Sequence, residues 1–198
     1  MVSPARPRPA LTKNQEARRG RVIRAALELG AAGGYDAVQM RDVATEAGVA
    51  LGTIYRYFPS KDALLAAVMV EWVTDLERRI TRNPPSGDTT VDRILDVLDR
   101  ALTNMGREPT LTNALVSAMT AGDPAGVDAM VDVTQTLARV LRSAFPPDIE
   151  PATEAAAAKA IGHVWWSATI AWSNGMGDMA WVAGEVREAT ELIAGRFG

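Results

Sequence analysis

The densest group of polar side chains suited to molecular recognition lies in Gly48–Lys61, which reads G-V-A-L-G-T-I-Y-R-Y-F-P-S-K. Thr53, Tyr55, Arg56, Tyr57 and Lys61 supply hydroxyl, guanidinium and ammonium groups. They contain no nucleophile–base pair and no metal-ligand set. The chemistry they suit is contact with a nucleic acid. Threonine meets base edges or thymine methyls, arginine reads guanine or clamps phosphate, and tyrosine hydroxyls and lysine reach phosphate oxygens. Gly52 lets a backbone approach a duplex closely.

The elements that position these residues are legible around them. Met40, Val43, Ala44 and Ala47 recur at helical spacing. Gly48 is suited to stop that helix in a left-handed conformation. A second helix is expected over Leu51–Phe58, ended by Pro59-Ser60. Ile54 and Phe58, four apart, face its core, leaving Thr53, Tyr55, Arg56 and Tyr57 outward. Ser60 reads as the N-cap of a third helix, with Asp62 in the first turn. Helix, glycine turn and short helix make a helix-turn-helix, whose second helix enters the major groove of DNA.

Over Gly34–Lys61, G-Y-D-A-V-Q-M-R-D-V-A-T-E-A-G-V-A-L-G-T-I-Y-R-Y-F-P-S-K, the chain closely resembles the DNA-binding signature of the TetR family of bacterial transcriptional regulators. The departures are local. Val38 and Gln39 stand where threonine is common, so the helix from Met40 lacks a hydroxyl cap. Ala50 replaces a common serine and Leu51 a frequent polar or basic residue, removing possible phosphate contacts. The resemblance implies DNA contacts from Gln39, Arg41, Ala50, Leu51, Gly52, Thr53, Tyr55, Arg56, Tyr57 and Lys61. Base readout would lean on Gly52, Thr53, Tyr55 and Arg56.

The rest of the 198 residues reads as all-α. Helices are expected over Asn14–Ala32, where Arg18, Arg19, Arg21 and Arg24 crowd one side, then Ser60–Arg82, Asp88–Gly106, Glu108–Ala121, Pro124–Phe145, Glu150–Met176 and Asp178–Phe197. With the two of the DNA reader they number nine, with no strand and no internal repeat. The centre of Glu150–Met176, A-I-G-H-V-W-W-S-A-T-I-A-W, is apolar nearly all round, as in a helix buried on more than one side. It is shorter than the roughly 20 residues that span a bilayer.

Charge divides the chain. Residues 1–62 carry ten Lys and Arg against six Asp and Glu, whereas residues 63–198 carry eleven against eighteen. A basic head on an acidic body is the footprint of a protein that meets nucleic acid with one region. Residues 1–13 hold three prolines in the first ten positions and no apolar run. They are expected to form a disordered basic arm, with Arg6, Arg8 and Lys13 near DNA, and not a signal peptide. The expected organisation is this arm, a helix-turn-helix domain over 14–62, and a ligand-binding and dimerisation domain over 63–198.

Methionine and tryptophan are frequent in the body, and such adaptable side chains suit an irregular apolar ligand. The expected lining is Met69, Trp72, Val73 and Leu76, then Leu98, Leu102 and Met105, Leu115 and Met119, Met130 and Leu137, and finally Trp165, Thr169, Trp172 and Met176. A narrower resemblance, through A-V-Q-M-R, Y-R-Y-F-P-S-K, residues 108–115 (E-P-T-L-T-N-A-L) and residues 164–172 (V-W-W-S-A-T-I-A-W), is to the KstR-type branch of the family. Those repressors control steroid or cholesterol breakdown and respond to CoA thioesters of steroid metabolites. The resemblance thus implies a cytoplasmic homodimer joined through its last two helices, a palindromic operator, and a steroid- or acyl-CoA effector.

The residues by themselves leave two other classes open. An enzyme is the first, and the single histidine, His163, reads as a core or interface residue. No nucleophile elbow, HExxH, P-loop or dinucleotide fingerprint accompanies it. There is no cysteine, and no cofactor or metal site is expected. A DNA-binding or scaffold protein without a small effector is the second class.

Overall fold

The computed structural model describes residues 12–197. Among them the chain forms nine α-helices and no strand: α1 (Lys13–Ala37), α2 (Met40–Ala47), α3 (Leu51–Tyr57), α4 (Lys61–Arg82), α5 (Thr90–Arg107), α6 (Pro109–Thr120), α7 (Pro124–Arg142), α8 (Pro151–Ser173) and α9 (Met179–Ala194). A 3₁₀ turn, Gly195–Phe197, follows. The expectation for an N-terminal arm falls on residues 1–11, outside the described residues, except at Thr12 and Lys13, which open α1.

Local chemistry sets the helix boundaries. Thr12 and Gln15 form a reciprocal capping box at α1, and Thr89 and Asp92 do the same at α5. The second box explains why α5 begins at Thr90 and not at Asp88. Ser60, Asp123, Glu150 and Asp178 cap α4, α7, α8 and α9 through their side chains. Proline opens α6, α7 and α8, where its missing N–H costs nothing. As expected, α2 has no side-chain cap.

The first helix breaks after Ala32, as expected, and a short helical segment follows. Gly33 and Gly34 leave helical geometry, with Gly34 at φ 71°, and the chain resumes to Ala37. A β-carbon on Gly34 would lie 3.2 Å from Thr110 of α6. Glycine therefore meets a conformational and a packing demand at once.

Two buried clusters hold the molecule together. One joins α1, α2 and α3 to the first half of α4, to α6, and to Ala129 and Val133 of α7. The other gathers Ile80 of α4, α5, the end of α7, α8 and α9. Trp72 packs against both. So α4, about 33 Å long at 1.5 Å per residue, begins in one cluster and ends in the other. No helix among the described residues is long and apolar enough to cross a membrane.

His163 is not in the core of this chain. It is exposed on the outer face of α8, one helical turn from both Lys159 and Ser167. The apolar centre of α8 nevertheless buries Ile161, Trp165, Ala168 and Thr169 on its inner face.

Candidate nucleic-acid interface and ligand cavity

The α2–α3 unit is built from the inside out. Val43, Ala44, Ala47, Ile54 and Phe58 are buried against Val22, Ala25 and Ala26 of α1. Gly48 closes α2 at φ 61°, ψ 44°, the left-handed geometry expected of it. Arg21 donates from Nε to the Ala47 carbonyl at 3.2 Å, holding the C-terminal end of α2.

Packing this apolar side leaves Gln39, Arg41, Ala50, Gly52, Tyr55 and Arg56 exposed. Tyr55 keeps 49% of its surface. A β-carbon at Gly52 would meet nothing within 4 Å. Among the described residues nothing crowds a side chain at this position. Thr53 and Leu51 are half-buried, and Leu51 packs against the first cluster.

Two expected phosphate contacts sit differently. The Tyr57 hydroxyl is buried without a hydrogen-bond partner, so it does not face outward. Its ring packs beside Phe58 and carries the Arg56 guanidinium 5.4 Å from its centroid. The physical reason is rotational. Tyr57 follows Ile54 by three residues and shares its inward side. Lys61 is engaged within the chain: Nζ lies 3.7 Å from the Tyr35 ring centroid and donates to the Tyr35 carbonyl at 3.1 Å.

Tyr35 in turn donates its hydroxyl to Asp62 at 2.6 Å. That hydrogen bond to a carboxylate, reinforced by burial, pushes the phenol up to about 12. Of the α1 arginines, Arg19 lies over the Phe58 ring and Arg21 holds α2. Arg18 and Arg24 are exposed.

The body contains an apolar cavity of about 60 Å³. Of the residues named for the pocket, Met69, Trp72, Val73, Leu76, Met105, Leu137, Trp165 and Thr169 line it, joined by Ala101, Asn104, Val133, Gly162 and Trp166. The other expected lining residues lie elsewhere. Leu98 and Leu102 are packed in the second cluster and Leu115 and Met119 in the first. Met130 and Trp172 flank those clusters, and Met176 is exposed. An apolar stripe does not reveal which members border a void. Asn104 carried a readable signal, being polar at helical spacing from the buried Val97 and Ala101.

Two polar groups face this apolar space. Thr169 is only 3% exposed, yet its hydroxyl makes no hydrogen bond among the described residues. The helical threonines Thr74 and Thr190, by contrast, bond back to carbonyls one turn earlier. Asn104 likewise has no side-chain partner among them. No group of His, Cys, Asp or Glu able to hold a metal occurs among the described residues.

Beyond the cavity, Ser60 and Asp123 meet at 2.7 Å. Each also caps its own helix, Ser60 through the Ala63 N–H and Asp123 through the Ala125 N–H. The hydroxyl and the backbone N–H hold the Asp123 carboxyl below the usual aspartate value. This contact ties the start of α4 to the start of α7.

Comparison with known proteins matches both regions. Residues 22–68 match the family described as bacterial regulatory proteins, tetR family, and residues 87–193 match a tetracyclin repressor-like C-terminal domain. The chain is 36% identical over 182 residues to the HTH-type transcriptional repressor KstR of Rhodococcus jostii, covering 91% of this chain and 84% of that one. It is 30% identical to KstR of Mycobacterium tuberculosis over 181 residues, 91% of this chain and 82% of the relative. A TetR transcriptional regulator from Rhodococcus sp. RHA1 superposes with a TM-score of 0.81 at 28% identity, covering 91% and 97% of the two chains. Thermus thermophilus FadR, a repressor solved with lauroyl-CoA, shares the fold with a TM-score of 0.69 at 20% identity, covering 88% and 92%.

Proposed function

This chain belongs to the tetR family of bacterial regulatory proteins, and from that premise we propose that it is a cytoplasmic homodimeric repressor released from a palindromic operator by an apolar effector. The DNA-reading region is residues 14–62, and residues 63–198 bind the effector and the second subunit. Gln39, Arg41, Gly52, Thr53, Tyr55 and Arg56 meet the operator. Two copies of α3 enter successive major grooves, about 34–36 Å apart on one face of the duplex. The outer faces of α8 and α9 form the dimer contact, and His163 on α8 belongs to that face.

The observation that carries this reading is the dual position of α4. Its N-cap, Ser60, adjoins the DNA-reading unit, while Met69, Trp72, Val73 and Leu76, about two and a half to four and a half turns on, line the cavity. Ligand pockets are typically about 300–1,000 Å³, and this cavity is far smaller. An effector of steroid or long-acyl size therefore binds only if the walls move apart, and α4 is one wall. A ligand that prefers the opened arrangement lowers DNA affinity by its differential binding energy, typically about 1–3 kcal/mol. The KstR relatives support the repressor sense, and the lauroyl-CoA-bound FadR, alike in fold, is consistent with an acyl-CoA as the effector, beside the steroid-CoA that the KstR-type resemblance implies. The protein acts by binding, without turnover of the effector.

Selection of bound duplexes from a random pool, repeated with steroid- and acyl-CoA thioesters present, tests the proposal. The expected product is a palindrome whose enrichment disappears with one ligand class. A palindrome indifferent to every ligand would favour a regulator without a small effector. No enriched sequence would overturn the DNA-reading assignment.

A further inference from the structure

Next to the apolar cavity lies a wider groove of about 610 Å³ between the C-terminal half of α4 and the last turns of α5. The two spaces share the walls Leu76 and Asn104. A ligand body seated against Trp72 and Trp165 thus lies beside the groove, with Asn104 between the two spaces. The change in chemistry between them is abrupt. The cavity wall is apolar apart from Asn104 and Thr169, whereas the groove presents Arg79, Arg100 and Arg107, with Thr103, Asn83 and one carboxylate, Asp99.

The three arginines differ. Arg100 is held by Asp96 at 2.6 Å and by the Asn83 carbonyl at 2.7 Å, so it is a fixed part of the wall. Arg79 pairs with Asp75 at 2.5 Å on an exposed surface, an arrangement that holds its partner only weakly. Arg107 is exposed and makes no ion pair or hydrogen bond among the described residues. Its guanidinium, a planar fork matched to carboxylate and phosphate oxygens, belongs to the groove that shares Leu76 and Asn104 with the apolar cavity.

From this juxtaposition we propose that the α4–α5 groove is an anion site for the head of an amphiphilic effector, with Arg107 as its principal contact and Arg79 as a second that exchanges Asp75 for the ligand. The effector is then an apolar body, lodged among Trp72, Trp165 and Trp166, that ends in anionic oxygens. Those oxygens belong either to a free carboxylate or to the phosphates of a nucleotide-bearing thioester. Asn104 stands at the junction and donates to the linking carbonyl. The proposal rests on the effector reading above and specifies which end of the ligand lies where.

Tryptophan fluorescence of the full chain reads entry of the apolar body, because three tryptophans line the cavity. The ligands are matched sets on a dodecyl chain, an octadecyl chain and a sterol side chain, each as primary alcohol, free acid and CoA thioester. The expected result is binding of an anionic member about tenfold or more tighter than its alcohol. Arg107→Gln is expected to remove most of that advantage and to leave the alcohol unchanged, with Arg107→Lys restoring part of it. Tightening by the free acid alone assigns the carboxylate, tightening by the thioester alone assigns the phosphates, and tightening by both means that the site takes either anion. If alcohol, acid and thioester bind alike, or if Arg107→Gln weakens all three equally, the head-group site is wrong while the apolar effector stands. If no member of any set changes the fluorescence or releases DNA, both readings fall.

Discussion

Arg56 and Tyr55 are the large side chains that α3 leaves outside the packed head, and Gly52 opens the backbone beside them. Arg56→Ala is expected to weaken operator binding about tenfold or more without lowering thermal stability, since a lost base or phosphate contact is worth about 1–3 kcal/mol. Fluorescence anisotropy alongside thermal unfolding measures both. Tyr57→Phe has the opposite expectation. Its hydroxyl is buried and unpartnered, so removal should leave stability unchanged or raise it by up to about 1 kcal/mol. Operator affinity should stay within about twofold; a tenfold loss would mean that the hydroxyl swings out on DNA. These two neighbours show the limit of residue-level reading. The types and spacing along α3 separated Ile54 and Phe58 from the rest, but a seven-residue helix offers no repeat from which to judge how far its flank turns inward. The side of Tyr57 was decided by the elements packed against it.

At the scale of elements, α4 is the continuous connection and the Ser60–Asp123 contact is its anchor to α7. Since α7 lends Val133 and Leu137 to the cavity, the proposed widening of the cavity would load this anchor. Ser60→Ala combined with Asp123→Asn in a double-mutant cycle is expected to reduce the ligand-induced fall in DNA affinity more than it alters either affinity alone. An additive pair would remove the anchor from the coupling. A second element-level contact joins the end of α1 to the start of α4 through Tyr35 and Asp62. Because the folded phenol titrates near 12 against an ordinary 10.0, the folded chain holds this proton while the unfolded chain releases it. The contribution is present below pH 10 and is lost as pH rises towards 12. Denaturant unfolding at several alkaline pH values should show that fall, and Tyr35→Phe should flatten it. Caps and breakers made most element boundaries readable, including Gly48, Ser60 and the prolines of α6, α7 and α8. The break at Gly33-Gly34 was readable too, whereas the packing of Gly34 on Thr110 was not, because the two are distant in sequence.

For the whole molecule, the decisive test is assembly. Leu192 on α9 is 85% exposed in the single chain, a cost that a second subunit over α8 and α9 would remove. Leu192→Glu is expected to shift sedimentation towards the monomer and to abolish cooperative operator binding while the fold persists by circular dichroism. What the sequence by itself determined was an all-helical chain, a basic head with a glycine-turned DNA-reading unit, and an apolar body too short in every run to span a bilayer. Those properties follow from periodicity, caps and charge, all of which act within a few residues. Only the tertiary structure decided which apolar side chains border the cavity, that the cavity is only about 60 Å³, and that Arg107 lies in the groove beside it without an ion pair among the described residues. Each of these depends on the distance between helices that are far apart in the chain. No local pattern encodes that distance; the packing of whole side chains sets it.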